Sequence, residues 1–129
     1  MSIQHFTAGA LAALALISTS AFAGSGAGFK QQGVASYYSD RFHGRKTASG
    51  DRYDKSAMTG AHRSLPLGSK VRVTNLGNGK SVVIEINDRG PWAGKRLLDM
   101  SRRAAQDLGM ISSGVAKVQL EMVDEDGGS

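Results

Sequence analysis

Two runs of alternating apolar and polar residues flank a glycine-rich turn, and this pattern limits the possible fold more than any other in the chain. Residues 70–74 and 81–87 place Val or Ile at every second position, which is the period of a strand with one buried face. Between the two runs, Gly77-Asn78-Gly79 can adopt the positive φ that a tight turn needs. The stretch from 69 to 87 therefore predicts a β-hairpin.

Shorter patterns predict the remaining elements. Residues 33–38 alternate small and aromatic side chains, and residues 115–123 place apolar side chains on one face, so each predicts a strand. Ser101 has the side chain of an N-cap, for a short helix that ends near Leu108 with Gly109 after it. The patterns together predict a mainly all-β chain of five or six short strands with one or two short helices, arranged as a small β-barrel.

The lack of cysteine excludes several functional classes. With no cysteine among 129 residues, the chain cannot form a disulfide framework, a thiolate metal site, a cysteine nucleophile or a lipid-modified cysteine anchor. Its length suits one domain. The core and the hydrogen bonds of the sheet must then supply the stability, and a closed barrel would help because it leaves no strand edge unpaired.

The amino-terminal residues have the pattern of an export signal. Residues 8–17 form a short uncharged apolar run, and Ala21-Phe22-Ala23 offers the small side chains that a signal peptidase accepts. We expect a signal peptide at 1–23, a flexible leader at 24–32, one domain at 33–123 and a disordered tail at 124–129. A buried N-terminal helix is the alternative, since residues 1–23 contain no Lys or Arg. The expected location is periplasmic or secreted, as a soluble protein without a membrane anchor.

Asp88 is the carboxylate whose position is most restricted by the sequence. It ends a predicted strand and precedes Gly90 and Pro91, so its side chain has little freedom of position. That restriction suits a general acid, which must lie within hydrogen-bond reach of a leaving-group oxygen. The alternative is a turn aspartate that binds its own backbone. Asp99 precedes the predicted helix and is read as a cap or first-turn charge.

Histidines and aromatic residues complete the candidate chemistry. His62 and His43 lie in predicted loops, where each could be catalytic or only structural. Their spacing matches no metal-ligand motif, and we predict no metal and no cofactor. Five aromatic residues fall near the same loops, as in grooves that stack sugars, with core filling as the alternative; they are Tyr37, Tyr38, Phe42, Tyr53 and Trp92.

In their order and spacing, six sequence blocks resemble the RlpA (rare lipoprotein A) family of endolytic peptidoglycan transglycosylases. The resemblance runs from about Gly33 to Val123. The blocks are GVASYY at 33–38, FHGRKTASGD at 42–51, AHRSLPLG at 61–68, VRVTNL at 71–76, INDRGP at 86–91, and LDMS at 98–101 with the alanines at 104 and 105.

The resemblance implies a six-stranded double-psi β-barrel, a fold shared with expansins and barwin-like plant proteins. It also implies cleavage of the β-1,4 bond between N-acetylmuramic acid and N-acetylglucosamine, on glycan strands without stem peptides, leaving 1,6-anhydromuramic acid ends. The family's essential aspartate falls on Asp88, its histidine on His62 and a further acidic position on Asp51. Asp51 stands where a Glu is usual, and its carboxylate reaches one methylene less. The sequence also lacks a lipobox cysteine, and we expect it to act without the SPOR domain that carries many relatives to the septum.

These observations lead to a mechanism and to rival functions. Asp88 would act first as acid and then as base, while Arg89 is expected to turn away or to bind backbone or substrate. The expected substrate-binding residues are Tyr37, Tyr38, Arg89, Trp92 and His43. The expected partner is the peptidoglycan glycan strand, bound by a monomer with a net charge of +5. A non-catalytic, expansin-like wall-binding module is the first alternative, and nucleic-acid binding, suggested by charge alone, is not expected.

Overall fold

The computed structural model describes residues 29–123, and the signal peptide and tail predicted at 1–23 and 124–129 lie outside this range. The described chain has six strands, a 3₁₀-helix at Asp40–Phe42 and one α-helix, α1, at Arg102–Asp107. The strands are β1 (Lys30–Tyr37), β2 (Thr59–Ala61), β3 (Lys70–Asn75), β4 (Ser81–Asp88), β5 (Leu98–Met100) and β6 (Ala116–Met122). Strand β1 takes in the last three residues of the leader expected at 24–32.

The six strands close into a barrel in the order β1-β5-β2-β4-β3-β6. The pairs β1–β5 and β2–β4 are parallel, and the other four pairs are antiparallel. Closure gives every strand two hydrogen-bonded neighbours, so no edge is left open. The mainly all-β barrel expected from the sequence is confirmed.

The predicted hairpin forms between β3 and β4. The apolar positions of the two strands point into the barrel, where Val71, Val73, Ile84 and Ile86 are buried. In the turn, Gly79 adopts a φ of 80°, a value that a residue with a β-carbon rarely adopts. The hydrophobic period and the turn residues therefore act together to fix the register.

Helix α1 also forms where its cap residues predict it. The Ser101 hydroxyl accepts the main-chain N–H of Ala104 at 3.2 Å, and Gly109 ends the helix with a φ of 71°. The helix buries Ala104 and Ala105 against the barrel. Asp99 is not part of the cap. It lies in β5, where it accepts a hydrogen bond from Ser36 and pairs with Arg96.

The strand register brings four segments together at one level of the barrel. Ser36 pairs with Asp99, Asp99 with Ala61, and Ala61 with Asp88. Tyr38 lies two residues beyond Ser36 along the chain, and its main-chain N–H donates to the carbonyl of Met100. The ends of β1, β2 and β4 thus meet near Asp88. Among residues 29–123, no helix is long and apolar enough to cross a membrane.

Candidate functional site

Three donors hold the carboxylate of Asp88, the last residue of β4. Oδ2 accepts the Tyr38 hydroxyl at 2.6 Å. Oδ1 accepts the main-chain N–H groups of Ala48 and Arg89, both at 2.9 Å. The donors come from three different segments of the chain. Both carboxylate oxygens are therefore fixed in position before any ligand binds.

Asp88 opens onto a cleft of about 180 Å³ between the barrel and the loop that follows β1. The side chain is half-buried, so a ligand in the cleft can reach it. The walls combine aromatic, cationic and hydroxyl groups around one carboxylate; the lining residues are Tyr38, Phe42, Arg45, Lys46, Thr47, Tyr53 and Asp88.

Tyr38 is held on both its ring and its hydroxyl. Its ring centroid lies 4.6 Å from that of Tyr53 and 6.0 Å from that of Phe42. The Tyr53 hydroxyl in turn accepts the main-chain N–H of Arg102 at 3.0 Å. Burial, followed by the hydrogen bond to Asp88, raises the pKa of Tyr38. The Tyr38 hydroxyl therefore keeps its proton at neutral pH and donates a hydrogen bond to Asp88.

The loop at 46–52 delivers the main-chain donor to Asp88. A bridge pairs Lys46 with Arg52, and the N–H of Thr47 donates to the carbonyl of Asp51 at 2.8 Å. The N–H of Ser49 donates to the carbonyl of Asn87 at 3.1 Å. These bonds close the loop on itself and tie it to the end of β4. The N–H of Ala48 is thereby aimed at the carboxylate.

The Asp51 side chain belongs to this loop and does not line the cleft. It is exposed, and its Oδ2 accepts the Ser49 hydroxyl at 3.2 Å. Ser49 is also the residue whose N–H binds β4. Asp51 is thus connected to Asp88 through the loop.

His62 follows β2 and is buried, with 3% of its surface exposed. Its Nδ1 accepts the main-chain N–H groups of Ser64 and Leu65, both at 3.1 Å. The ring proton must therefore be on Nε2, which donates to Gln31 Oε1 at 2.9 Å. The main-chain N–H of His62 donates to the carbonyl of Asp88 at 3.2 Å. The link between His62 and Asp88 runs through the main chain.

The environment of His62 keeps its ring neutral. Burial lowers the pKa of His62, and the nearby positive charges of Arg89 and Arg63 lower it further. Arg89 donates from Nη1 to the carbonyls of His62 and Leu65, at 3.1 and 2.7 Å. The guanidinium of Arg89 thus binds the backbone, one of the three outcomes expected for it, and it holds the turn after β2.

The other residues expected to bind substrate lie outside the cleft lining. Tyr37 donates its hydroxyl to the carbonyl of Ile111 at 2.9 Å and packs on the core. Trp92 is 71% exposed, on a loop that Arg63 holds by donating to the carbonyl of Pro91. His43 is exposed and accepts the N–H of Lys55 at 3.2 Å.

Sequence reasoning missed the cations of the cleft, Arg45 and Lys46, and its hydroxyl, Thr47. The sequence offers one signal for these three residues, since they directly follow the FHG triplet in a loop rich in glycine and polar residues. No group of three or more metal-ligating side chains occurs within residues 29–123. The arrangement suits proton transfer by one fixed carboxylate to a ligand held against aromatic and cationic walls.

Comparison with known proteins identifies similar sequences. Residues 30–120 match a family model described as "Lytic transglycolase". The "Endolytic peptidoglycan transglycosylase RlpA" of Neisseria meningitidis serogroup B is 55% identical over 95 residues, which are 74% of this chain and 40% of that protein. The protein of the same name from Pseudomonas aeruginosa strain PAO1 is 50% identical over 96 residues, 74% of this chain and 28% of its own length. The chain thus spans less than half of these relatives.

Solved structures share the fold at low sequence identity. The Streptomyces papain inhibitor aligns with a TM-score of 0.61 at 24% identity, covering 76% of this chain and 97% of the inhibitor. An expansin of Clavibacter michiganensis aligns with a TM-score of 0.60 at 21% identity, covering 78% of this chain and 53% of the expansin. Together with the family match, these likenesses confirm the double-psi β-barrel.

Proposed function

Because this chain belongs to the RlpA family of lytic transglycosylases, we propose that it cleaves the β-1,4 bond between N-acetylmuramic acid and N-acetylglucosamine in peptidoglycan. The observation that carries the proposal is the carboxylate of Asp88, fixed by three donors at the wall of an open cleft. A general acid needs this combination of fixed position and access to the leaving-group oxygen.

The proposed reaction uses no water. Asp88 gives a proton to the bridging oxygen while the bond from that oxygen to C1 of the muramic acid breaks. The C6 hydroxyl of the same sugar then attacks C1 and returns its proton to Asp88. The products are a free N-acetylglucosamine hydroxyl and a 1,6-anhydro ring, and the carboxyl group is regenerated. One residue serves as acid and then as base.

The hydrogen bonds indicate which oxygen carries the proton. Oδ1 of Asp88 is engaged by two main-chain donors, whereas Oδ2 is engaged by the Tyr38 hydroxyl alone. Oδ1 therefore has both of its lone pairs engaged, whereas Oδ2 has one lone pair left for a proton. We assign the transferred proton to Oδ2, which can pass it to the bridging oxygen while it still accepts from the Tyr38 hydroxyl.

His62 and Asp51 support the site indirectly in this proposal. Neutral His62 holds the turn whose carbonyls bind Arg89, and this draws the guanidinium toward the main chain. Asp51 stabilises the loop that carries the Ala48 N–H by accepting a hydrogen bond from the Ser49 hydroxyl. A carboxylate one methylene shorter than Glu fits a role within its own loop, since it needs no reach across the cleft.

The substrate and location follow from the same proposal. We propose that the substrate is a glycan strand without stem peptides, and that Trp92 offers it an exposed stacking surface beside the cleft. Peptidoglycan lies outside the cytoplasm, so the chain would act there as an exported protein. The signal peptide at 1–23 and the monomeric state remain predictions.

Digestion of purified sacculi stripped of stem peptides tests the activity. Wild-type protein should release fragments with anhydromuramic acid ends, detected by mass spectrometry. Asp88→Asn keeps the size of the side chain and removes the transferable proton, so product formation should fall by about 100-fold or more. Binding to sacculi in a pelleting assay should persist in this variant, which shows that the fold survives.

A non-catalytic wall-binding module is the second candidate, favoured by the exposure of Trp92. In that case wild type and Asp88→Asn would both pellet with sacculi, and neither would release product. Trp92→Ala would weaken pelleting under either function. Only the product analysis separates the two candidates.

A further inference from the structure

Arg45 and Lys46 are consecutive cations on the wall of the cleft that contains Asp88. Both are exposed. Neither forms an ion pair within residues 29–123. The cations that do form ion pairs there are Arg72, Arg96, Arg102 and Arg103. Among the described residues, the cleft therefore presents two positive charges that no carboxylate pairs with at ion-pair distance.

Hydrogen bonds hold the backbone around the two cations. The N–H of Arg45 donates to the carbonyl of Phe42 at 2.9 Å, and its carbonyl accepts the N–H of Tyr53 at 2.7 Å. The guanidinium carbon of Arg45 lies 5.0 Å from the centroid of the Phe42 ring. Lys46 pairs with Arg52 in the bridge that closes the loop. The side chains of Arg45 and Lys46 thus both extend from a hydrogen-bonded part of the cleft wall.

Asp88 does not use these charges. Its two oxygens already have three donors, and the Tyr38 hydroxyl and two main-chain groups supply all of them. Among the lining residues, two cations face one carboxylate, so the cleft has a surplus of positive charge. A ligand that binds here gains most if it carries an anionic group close to the glycosidic bond whose oxygen Asp88 protonates.

The muramic acid sugar has such a group. A lactyl ether on its C3 ends in a carboxylate, and C3 belongs to the same ring as the C1 atom at the scissile bond. In a strand without stem peptides this carboxylate is free and negative. In a peptide-bearing strand it is an amide without charge, and N-acetylglucosamine carries no acid at all. Arg in particular binds carboxylates with paired hydrogen bonds.

We propose that Arg45 and Lys46 form a carboxylate subsite that binds the free lactyl group of muramic acid beside Asp88. This inference rests on the proposed function, and it names the side chains that select strands without stem peptides. The positive charges favour the free acid, and a peptide amide in the same place would leave them unpaired. The subsite acts mainly on binding, because the lactyl charge does not change during the reaction.

The test compares two substrates that differ only in this charge. Peptide-free strands are used as isolated, or after carbodiimide coupling of their carboxylates to methylamine. Wild type should lose about tenfold in kcat/KM on the amidated strands, mostly through KM. Arg45→Gln with Lys46→Gln should lose about as much on the native strands and should then be insensitive to amidation.

A matched control removes the same charge from outside the cleft lining. Arg41→Gln with Lys55→Gln changes two exposed cations, one in the 3₁₀-helix and one in the loop after Tyr53, and should keep the wild-type response to amidation. The inference is overturned if amidation affects the wild type and the cleft variant equally, or if it leaves the wild type unchanged.

Binding in the Asp88→Asn background separates this inference from the proposed activity. Fluorescently labelled native strands should bind Asp88→Asn about tenfold more tightly than amidated strands. That preference should vanish when both cleft cations are also changed to Gln. If the wild type cleaves neither substrate, the activity is wrong, and this binding comparison still decides the subsite.

Discussion

Removal of one hydroxyl, by Tyr38→Phe, tests how the site holds its carboxylate. The Tyr38 hydroxyl donates to Asp88 Oδ2 at 2.6 Å, a half-buried hydrogen bond between two side chains. Removal of one partner of such a bond costs about 1–3 kcal/mol. Cleft water can take the place of the lost hydroxyl, so we expect a value in the lower half of this range, about 1.5 kcal/mol, as the decrease in the free energy of unfolding at pH 7. The ring contacts with Tyr53 and Phe42 remain in the variant.

Burial of Tyr38, together with this bond, gives the stability difference a distinctive pH dependence. Burial and Asp88 raise the pKa of Tyr38 above the value of 10.0 for a free tyrosine. The folded state therefore keeps the proton at a pH where the unfolded chain releases it. The contribution is complete below pH 10 and is lost as pH rises above it, by up to about 1.4 kcal/mol per pH unit. Phenylalanine has no proton to lose, so the advantage of wild type over Tyr38→Phe should decrease toward zero between pH 10 and pH 11.

Urea denaturation of both proteins from pH 7 to pH 11 measures this difference. The two proteins share all their other side chains, so the comparison isolates the effect of the Tyr38 hydroxyl. A difference between wild type and variant that stays constant over this range would refute the assigned hydrogen bond. A value near zero at pH 7 would refute it as well.

Two further predictions concern the neighbouring turn and the core. The pKa of His62 is lowered in the folded state, so its contribution is present above pH 6.5 and is lost as pH falls below it. His62→Gln should therefore flatten the decline in stability between pH 6.5 and pH 4.5, and an unchanged decline would show that His62 is not its source. Ile86 is fully buried in the barrel, so Ile86→Ala should decrease the free energy of unfolding by about 2–5 kcal/mol. Thermal denaturation of this variant should show the loss, and a change below 1 kcal/mol would contradict the packing described.

Local sequence patterns predict the elements that are stabilised locally. The β3–β4 hairpin and helix α1 each have their period, turn or cap within one continuous stretch, and both form where expected. Strands β2 and β5 contain only three residues each, too few to show a period. They are strands because Ala61 pairs with both Asp99 and Asp88. Such pairing depends on distant segments, so the residues around Asp99 predict a cap or first-turn charge of α1 and do not reveal that Asp99 lies in a strand.

The same distinction applies to the candidate site. The turn residues next to Asp88 indicate a carboxylate of restricted position. Its hydrogen-bond partners, the Tyr38 hydroxyl and the main-chain N–H groups of Ala48 and Arg89, follow from no local pattern. The sequence alone does not show which of the two adjacent tyrosines contacts Asp88. Tyr38 contacts Asp88, while Tyr37, the residue before it, points toward Ile111 because side chains alternate along a strand. Arg45 and Lys46 enter the cleft wall only because the loop at 46–52 is tied to β4, a contact that no local pattern predicts.

The most direct measurement of the central claim follows the oxygen atoms of the product. Peptide-free strands are digested in water enriched in heavy oxygen, with wild type and with Asp88→Asn, and the new sugar ends are analysed by mass spectrometry. The account predicts anhydro ends without heavy oxygen from wild type, and about 100-fold fewer from Asp88→Asn. Ends that carry heavy oxygen would show hydrolysis by water, and equal product from both proteins would remove Asp88 from the chemistry.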